Sequence, residues 1–345
     1  MRWLGAALFA GLVAAGAFGY VVWSRVHTPY KGFDADVQFV DIPSRSGTAA
    51  IGRSLVDAGV IRDQLTYRAA LWLSGDARRL RAGEYRFDAA LTPLDVLLKI
   101  SRGDVAQVTV TFPEGLTILE MAAIAETHGV GTAAEFVAAA REPSAILALD
   151  PRAPNLEGYL FPDTYSVSRH ADGAALVRLM VDRFMKVLTP EMRELAATRG
   201  LGVRELVTLA SIVEKETGNP AERTEVAAVY ANRLRLGMAL QADPTVIYAL
   251  RLAGVYHGNI RKDDLQLDSR YNTYRYPGLP PGPIASPGRA SLEAALAPAD
   301  APFLYFVSRN DGSHAFSRTL DEHNRNVEKF QVRYFRERRN VPGHR

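Results

Sequence analysis

The stretch VRELVTLASIVEKETGNP (residues 203–220) is a largely apolar segment that ends in two glutamates and a Gly-Asn-Pro breaker. Its apolar residues recur at helical spacing and predict a helix from about Gly202 to Glu216 with one broad buried face. On a helical wheel with about 100° per residue, Glu214 lies inside the apolar stripe and Glu216 lies at its edge. Neither glutamate is therefore cleanly on the solvent side, unlike Lys215, which lies outside the stripe.

The two glutamates have two interpretations, and the spacing leaves both open. In the first, the helix frays before its breaker and both carboxylates reach water. In the second, one of them does chemistry. Acidic side chains at a helix C-terminus oppose the helix dipole, which argues for a non-structural reason to keep them. A carboxyl group at the edge of an apolar cleft has a raised pKa, as a general acid needs near neutral pH. Periodicity does not choose between Glu214 and Glu216.

The N-terminal segment is apolar and has no charged residue between Arg2 and Arg25. A helix of about 20 apolar residues spans the hydrocarbon core of a bilayer. Aromatic residues that suit the membrane interface lie near both ends: Trp3, Tyr20 and Trp23. Residues 1–24 are therefore predicted to be a transmembrane anchor. A cleaved signal peptide is the alternative, with a small-residue site at Ala15-Gly16-Ala17, but the apolar run continues through Val22.

The region after the anchor predicts small strands and capped helices. Residues 25–36 are polar, contain Pro and Gly, and predict a linker. Over residues 37–130 a strand–turn–helix pattern occurs twice. Thr117 and Glu120 have capping-box spacing, and Thr92 is a further helix cap. This pattern resembles the LysM module, a small glycan-binding unit, so residues 37–130 are predicted to form a LysM-like α+β domain.

The rest of the chain predicts a mixed α/β domain over residues 131–335, followed by a basic tail at 336–345. Helical periodicity dominates its first part. Residues 268–289 contain five prolines and several tyrosines, and such long, breaker-rich segments inside a compact domain are usually functional loops. The last part predicts a strand, an Asn-Asp-Gly turn, a strand and a helix. The fold class is therefore α+β, with an anchor, a small domain and a larger mixed domain.

Composition excludes several kinds of chemistry. The chain has no cysteine, which removes disulfides, thiolate catalysis and cysteine-ligated zinc. The usual metalloprotease, nucleotide-binding and serine-hydrolase motifs are absent. The 7 histidines are scattered without ligand spacing, so no metal or cofactor is predicted, and His314 and His323 are expected to be surface or structural residues. Net charge is only +3 and no basic stripe is interleaved with aromatics, so nucleic acid is not an expected partner.

A long block, LASIVEKETGNPAERTEVAAVYANRLRLGMALQADPTVIYAL (residues 209–250), closely resembles the YceG-like family of endolytic murein transglycosylases. Four further blocks match the same family in the same order. They are LEGYLFPDTY (156–165), YNTYRYPGLPPGPIASPG (271–288), SLEAALAPADAPFLYFV (291–307) and HAFSRTLDEHN (314–324). With the N-terminal anchor and the LysM-like region, the resemblance covers nearly the whole chain.

The resemblance implies an activity and a catalytic residue. Members of the family cleave peptidoglycan glycan strands between N-acetylmuramic acid and N-acetylglucosamine and leave a 1,6-anhydromuramic end. The family's catalytic glutamate matches Glu216, which Thr217 follows, and Glu214 is the second choice. Ordinary glycoside hydrolysis uses two carboxyl groups. Here one suffices, because the C6 hydroxyl of the substrate is the nucleophile and is already close to the reacting carbon.

The matched blocks also supply candidate substrate-binding residues. Four tyrosines are expected to stack on sugar faces: Tyr159, Tyr248, Tyr271 and Tyr274. Four polar residues are expected to bind hydroxyl or N-acetyl groups: Glu157, Asp243, Asn272 and Thr273. A structural role is the alternative for each of them. Asp243-Pro244-Thr245, for example, also predicts a helix N-cap with proline at the first helical position.

The resemblance further implies location and partners. The expected location is the bacterial cytoplasmic membrane, with a single span and the catalytic domain on the extracytoplasmic side. The expected partners are glycan strands, the membrane, and penicillin-binding synthases of the elongation machinery. Two alternatives stay open: a non-catalytic glycan-binding scaffold, and a water-using glycoside hydrolase. The hydrolase needs a second carboxylate about 5–10 Å from Glu216, for which Asp243 and Glu157 are candidates.

Overall fold

The computed structural model describes the backbone of residues 2–339 and the side chains of residues 8–336. The chain folds into two compact units. Unit 1 contains residues 1–108 and 166–171, and unit 2 contains residues 109–165 and those from 172 onward. Helices and strands occur in both, which confirms the mixed α and β character. The predicted domain boundaries and the LysM-like assignment stay predictions.

Helices dominate the described chain. The first helices and strands are α1 Arg2–His27, β1 Gln38–Ile42, α2 Thr48–Asp57, α3 Gln64–Ser74, β2 Gly83–Phe87, α4 Pro93–Arg102, β3 Gln107–Thr111, α5 Ile118–Thr127, α6 Ala133–Ala140 and β4 Thr164–Ser168. The later ones are α7 Gly173–Val187, α8 Pro190–Thr198, α9 Val203–Glu216, α10 Arg223–Arg235, α11 Asp243–Leu252, α12 Arg289–Leu296, β5 Tyr305–Ser308, β6 His314–Ser317, α13 Leu320–Val327 and α14 Tyr334–Arg339. The strands pair in three two-stranded sheets, β1 with β2, β3 with β4, and β5 with β6.

Helix α1 carries the predicted membrane anchor. Its segment Leu8–His27 is long and apolar enough to cross a membrane. Large apolar side chains on it are exposed, with Phe9 at 70%. At its end, Val26 is fully buried in the core of unit 1. A signal sequence has the same length and composition, so the helix is compatible with both interpretations of the sequence.

The core of unit 1 is built on the antiparallel pair of β1 and β2, in which Val40 lies opposite Tyr85. Alternate residues of both strands face inward, so Val40, Ile42, Tyr85 and Phe87 are buried. Helices α2, α3 and α4 cover this face with residues such as Leu55. This alternation gives a small sheet one apolar face, which the helices remove from water.

Helix α9 is the central helix of unit 2. Every residue from Leu206 to Val213 is buried, because α8, α10, α11 and α12 all pack around it. The sequence predicted a single buried face, so this middle part is more enclosed than its periodicity indicates. The helix ends at Glu216, as predicted, and Thr217 is its C-cap in an extended conformation.

Local predictions at helix ends are mostly confirmed. Thr117 and Glu120 form the predicted capping box of α5. Thr92 caps α4 by accepting a hydrogen bond from the backbone of Asp95. The predicted N-cap at Asp243 is wrong by one residue, since Ala242 is the N-cap of α11 and no side chain caps that helix. The predicted strand–turn–strand–helix at the C-terminal end is confirmed by β5, β6 and α13.

The proline-rich segment of residues 268–289 is an ordered loop. Asn272 holds it together, because its Nδ2 donates to the carbonyl oxygens of Leu265 and Leu267 at 3.0 and 2.9 Å. Further along, the backbone of Ser286 donates to Leu116 and accepts from Gly115, each at 2.8 Å. The predicted basic tail lies mostly outside the described residues.

Candidate active site

The two glutamates at the end of α9 lie in different surroundings. Glu214 has a side chain that is 7% exposed, and its Oε2 accepts a hydrogen bond from the backbone of Gly288 at 2.9 Å. Its Oε1 lies 3.7 Å from Nη2 of Arg223. Gly288 is the N-cap of α12. Glu214 therefore ties the start of α12 to the end of α9, which is a structural role.

Glu216 lines a cleft of about 450 Å³ within unit 2. The other residues that line this cleft, here called the Glu216 cleft, are Tyr230, Arg233, Leu240, Gln241, Asp243, Tyr274, Tyr305, Phe306, Leu320, His323 and Asn324. The hydroxyl of Tyr230 donates to Oε1 of Glu216 at 2.6 Å. Among the described residues, none donates a hydrogen bond to Oε2. One carboxyl oxygen is thus fixed, and the other is available to a ligand.

Burial raises the pKa of Glu216 to about 7. The negative charge of Asp243 acts in the same direction, whereas the Tyr230 hydrogen bond and the positive charge of Arg233 lower this pKa. A carboxyl group with a pKa near 7 is protonated in a large fraction of molecules at neutral pH. Such a group can donate a proton and afterwards accept one, as general acid–base catalysis requires.

Two neighbours of Glu216 are buried polar side chains on α10. Burial and the nearby carboxyl raise the pKa of Tyr230, so its hydroxyl stays a hydrogen-bond donor. Arg233 is 7% exposed. Its Nε donates to the carbonyl of Leu304 and its Nη1 to that of Leu240, both at 2.7 Å. These carbonyls hold the guanidinium group without cancelling its charge, so the cleft keeps a fixed positive wall.

Two of the predicted substrate-binding residues accompany Glu216. The hydroxyl of Tyr274 donates to Oδ1 of Asp243 at 2.6 Å, and both side chains line the Glu216 cleft. This bond explains why Asp243 does not cap α11, because its carboxylate is turned toward Tyr274. Asp243 is thus the second carboxylate of the cleft.

Three other predicted residues are placed in the interior. Thr273 is buried, where its Oγ1 accepts from the backbone of Ala242 at 3.0 Å and lies 2.9 Å from Oγ1 of Thr245. Asn272 is fully buried in the loop that it pins. Tyr159 is 1% exposed and donates to Oδ2 of Asp150 at 2.7 Å. The structure places these three side chains in the interior, where they are hydrogen-bonded to other protein groups.

Of the remaining predicted residues, Tyr271 and Glu157 border a small cavity, and Glu157 and Tyr248 line a second cleft of about 490 Å³. Glu157 is 7% exposed there, and its two oxygens accept from the backbone of Ile118 at 3.1 Å and the hydroxyl of Tyr248 at 3.2 Å. Burial raises the pKa of Glu157 to about 7. The ring of Tyr271 lies 4.9 Å from that of Tyr248. Glu157 and Tyr248 are therefore not part of the Glu216 cleft.

Helix α11 relates the two clefts. Asp243, at its start, lines the Glu216 cleft, and Leu252, at its end, lines the second one. A rise of about 1.5 Å per residue separates these two positions by about 14 Å along the axis. The Glu216 cleft and the second cleft therefore lie at opposite ends of one helix.

The two histidines expected to be structural have different outcomes. His314 pairs with Glu222, whose Oε2 lies 2.7 Å from its Nδ1, in agreement with a structural role. His323 lines the Glu216 cleft, and its expected surface or structural role stays a prediction. The matched block HAFSRTLDEHN was the signal in the sequence that could have identified it. Within the described residues, no group of three or more histidine, aspartate or glutamate side chains could hold a metal ion.

Comparison with known proteins identifies the family. A family model described as "YceG-like family" matches residues 40–329. The chain belongs to the YceG-like family. This YceG-like protein is 31% identical to the endolytic murein transglycosylase of Bacillus subtilis, over 92% of the chain and 91% of the relative.

Two further comparisons agree with this assignment. An endolytic murein transglycosylase of Streptococcus pneumoniae is 29% identical over 93% of the YceG-like chain, which spans 63% of that longer relative. A crystal structure of a yceG-like protein from Listeria monocytogenes superposes with a TM-score of 0.57 at 31% identity. That match covers 84% of this chain and 98% of the Listeria chain. The family is thus supported by sequence and by fold.

Proposed function

We propose that this YceG-like protein is an endolytic transglycosylase that cleaves peptidoglycan glycan strands with Glu216 as its acid and base. The observation that carries the proposal is the state of Glu216, which has a pKa of about 7 and one oxygen without a protein partner in the described structure. The names of the Bacillus and Streptococcus relatives support the substrate and the reaction class.

In the first step, the protonated Glu216 gives its proton to the glycosidic oxygen between N-acetylmuramic acid and N-acetylglucosamine. The bond from that oxygen to C1 of the muramic residue breaks, and the N-acetylglucosamine end leaves as an alcohol. Because Tyr230 donates to Oε1, the proton of Glu216 is placed on Oε2, the oxygen that is available to the glycan. The positive charge of Arg233 stabilises the carboxylate that forms.

In the second step, the C6 hydroxyl of the muramic residue attacks its own C1. The Glu216 carboxylate accepts the hydroxyl proton, which restores the acid for the next cycle. The product is a 1,6-anhydro ring, and no water is consumed. Attack from within the same sugar needs no second molecule to be positioned, which lowers the entropic part of the barrier.

A water-using glycoside hydrolase is the second candidate, and Asp243 favours it because it is a second carboxylate in the same cleft. Hydrolysis would leave a reducing end instead of an anhydro ring. Against this role, Oδ1 of Asp243 already accepts the Tyr274 hydroxyl at 2.6 Å. The scaffold alternative does not account for a carboxyl group with a raised pKa in an open cleft.

End-group analysis tests these alternatives. Peptidoglycan is digested with the purified full-length protein, and the new glycan ends are identified by mass spectrometry. Anhydro ends support the proposal, reducing ends favour the hydrolase, and an absence of cleavage favours the scaffold. The digestion is repeated with Glu216→Gln and with the control Glu293→Gln, whose side chain is 53% exposed on α12. Undiminished anhydro product from Glu216→Gln, with loss in Glu214→Gln, moves the assignment to Glu214.

The location and the accessory region belong to the same proposal. The exposed apolar surface of α1 supports a single membrane anchor, with the catalytic unit on the extracytoplasmic side where peptidoglycan lies. Glycan binding by the LysM-like region, and work beside penicillin-binding synthases, rest on the resemblance alone. Fractionation of cells that express a C-terminally tagged chain tests the anchor: the tag stays with the membrane unless the segment is cleaved.

A further inference from the structure

The imidazole of His323, on α13, has hydrogen-bonding capacity that the protein does not use. Its Nδ1 is buried and has no hydrogen-bond partner among the residues that the structure describes. Its Nε2 makes no hydrogen bond to any described residue, although His323 lines the Glu216 cleft. Buried polar groups in native proteins are nearly always paired, and an unpaired one calls for an explanation.

The ring of His323 is held in position at the wall of the cleft. It stacks on the ring of Tyr305, with centroids 5.2 Å apart and an interplanar angle of 24°. The guanidinium of Arg233 lies 5.0 Å from the centroid of the same Tyr305 ring. Because Tyr305 and Arg233 are themselves fixed by β5 and by backbone carbonyls, the imidazole has little freedom to find another partner.

Charge keeps this imidazole neutral. Burial and the positive charge of Arg233 lower the pKa of His323 from its usual value. Titratable or charged groups surround His323 in the cleft, on β6, on α13 and just after α13. They are Glu216, Tyr230, Arg233, Asp243, Tyr274 and Tyr305 in the cleft, His314 on β6, Asp321, Glu322 and Arg325 on α13, and Glu328 and Lys329 after it. Of these, Arg233 is the group whose charge lowers the pKa of His323. A neutral imidazole offers one donor and one acceptor, the two functions needed to bind a sugar hydroxyl.

We propose that His323 is a substrate-binding residue of the Glu216 cleft and that its neutral imidazole hydrogen-bonds an oxygen of the bound glycan. The proposal rests on the proposed function, because the ligand is the glycan strand. In the tautomer that carries its proton on Nε2, the buried Nδ1 keeps only a lone pair. The Nε2–H then donates to the glycan, on the side of the cleft where α13 lies.

A binding experiment tests the contact without depending on turnover. The full-length protein carrying Glu216→Gln is held in detergent micelles, and peptide-free glycan strands released by an amidase are titrated into it. Adding His323→Phe is expected to weaken binding about three- to tenfold, the effect of one neutral hydrogen bond. His323→Gln, which keeps a donor, is expected to restore part of the affinity. The control His257→Phe, at an exposed position, leaves affinity unchanged.

A second measurement covers the case in which His323→Phe disturbs the fold. In the Glu216→Gln protein with its histidines labelled with nitrogen-15, the Nε2 resonance of His323 is expected to move when glycan is added. The resonance is assigned by its absence in His323→Gln, and six other histidines serve as internal controls because the chain has 7. An unmoved resonance at saturating glycan, or unweakened binding by a folded His323→Phe protein, overturns the proposal.

The pH dependence of activity separates this proposal from the function itself. As pH falls through the lowered pKa of His323, the imidazole becomes positively charged beside the positive charge of Arg233. The value of kcat/KM is then expected to fall. His323→Gln is expected to remove this acid-side loss and to keep the base-side loss that belongs to Glu216. An unchanged acid-side loss in His323→Gln contradicts the role of His323. Anhydro product formed by Glu216→Gln at the wild-type rate contradicts the proposed function instead.

Discussion

Glu216 and Glu157 are two carboxyl groups of unit 2 that burial affects in the same way, since each has a pKa raised to about 7. Their hydrogen bonds differ. Both oxygens of Glu157 accept hydrogen bonds, from Ile118 and from Tyr248. For Glu216, the described residues supply a donor to Oε1, from Tyr230, and none to Oε2. A raised pKa therefore indicates burial and does not by itself identify a catalytic residue. What distinguishes Glu216 from Glu157 is its Oε2, which accepts no hydrogen bond from the described residues, in a side chain that lines a polar cleft.

The largest expected difference between the two residues is in turnover. Glu216→Gln removes the proton that the reaction needs, so kcat is expected to fall about 10²- to 10⁴-fold. Glu157→Gln keeps an acceptor for Ile118 and is expected to retain activity within about threefold. Rates of anhydro-end formation by the two variants measure this contrast. Equal losses would break the comparison and make Glu157 part of the chemistry.

The next largest effect is expected from loss of the hydrogen bond between Tyr230 and Glu216. The hydrogen bond from Tyr230 to Oε1 lowers the pKa of Glu216. Tyr230→Phe removes this hydrogen bond. The pKa of Glu216 is therefore expected to rise, and kcat to fall about tenfold because the carboxylate formed in the reaction loses a hydrogen bond. In the pH–rate profile the base-side loss, expected near pH 7 in the wild type, moves to higher pH. A base-side limb that stays in place contradicts the coupling of Tyr230 to Glu216.

The third prediction concerns Glu157 and the pH dependence of the free energy of unfolding. Its pKa in the folded protein, about 7, lies above the usual 4.5, so the unfolded chain loses its proton first as pH rises. The stability that this group contributes is present below about pH 4.5 and is lost between about pH 4.5 and 7. Glu157→Gln is expected to remove about 3 kcal/mol of this pH dependence. The free energy of unfolding in urea, measured at pH 5 and at pH 8, gives this pH dependence. If the difference between the two pH values is the same in Glu157→Gln as in the wild type, the burial argument is contradicted.

The smallest effect is expected at Glu214. Glu214→Gln keeps an acceptor for the backbone of Gly288 and loses the charge that lies 3.7 Å from Arg223. Unfolding free energy is expected to fall by about 1 kcal/mol, while kcat stays within about twofold. Thermal unfolding and the end-group assay on one preparation measure both quantities. A loss of kcat as large as that of Glu216→Gln would reverse the assignment of the two glutamates.

The sequence predicted the end of α9 correctly but could not rank its two glutamates. Both lie at the margin of one apolar stripe, so local periodicity treats them alike. Their difference is set by distant segments: Gly288 of the proline-rich loop binds Glu214, and Tyr230 of α10 binds Glu216. The family resemblance favours Glu216, because it matches whole blocks of sequence.

Other differences between prediction and structure have the same origin. The Asp243 cap was misplaced because the hydroxyl of Tyr274, 31 residues away, takes up its carboxylate. Tyr159 and Asn272 have the residue types of sugar-binding sites, but their hydrogen bonds serve the interior. His323 stacks on Tyr305 at the wall of the Glu216 cleft, a contact that local spacing does not predict. Residue type and local spacing predict elements, whereas tertiary contacts decide which side chains meet a ligand.

The central claim, that Glu216 alone suffices because the substrate supplies the nucleophile, is tested most directly by digestion in oxygen-18 water. Peptidoglycan is cleaved by the full-length protein, and the new ends are analysed by mass spectrometry. The account predicts 1,6-anhydromuramic ends that carry no label, and formation of these ends by Glu216→Gln at a rate about 10²- to 10⁴-fold lower. Reducing ends labelled with oxygen-18 would contradict it, since they require an activated water and a second carboxylate such as Asp243.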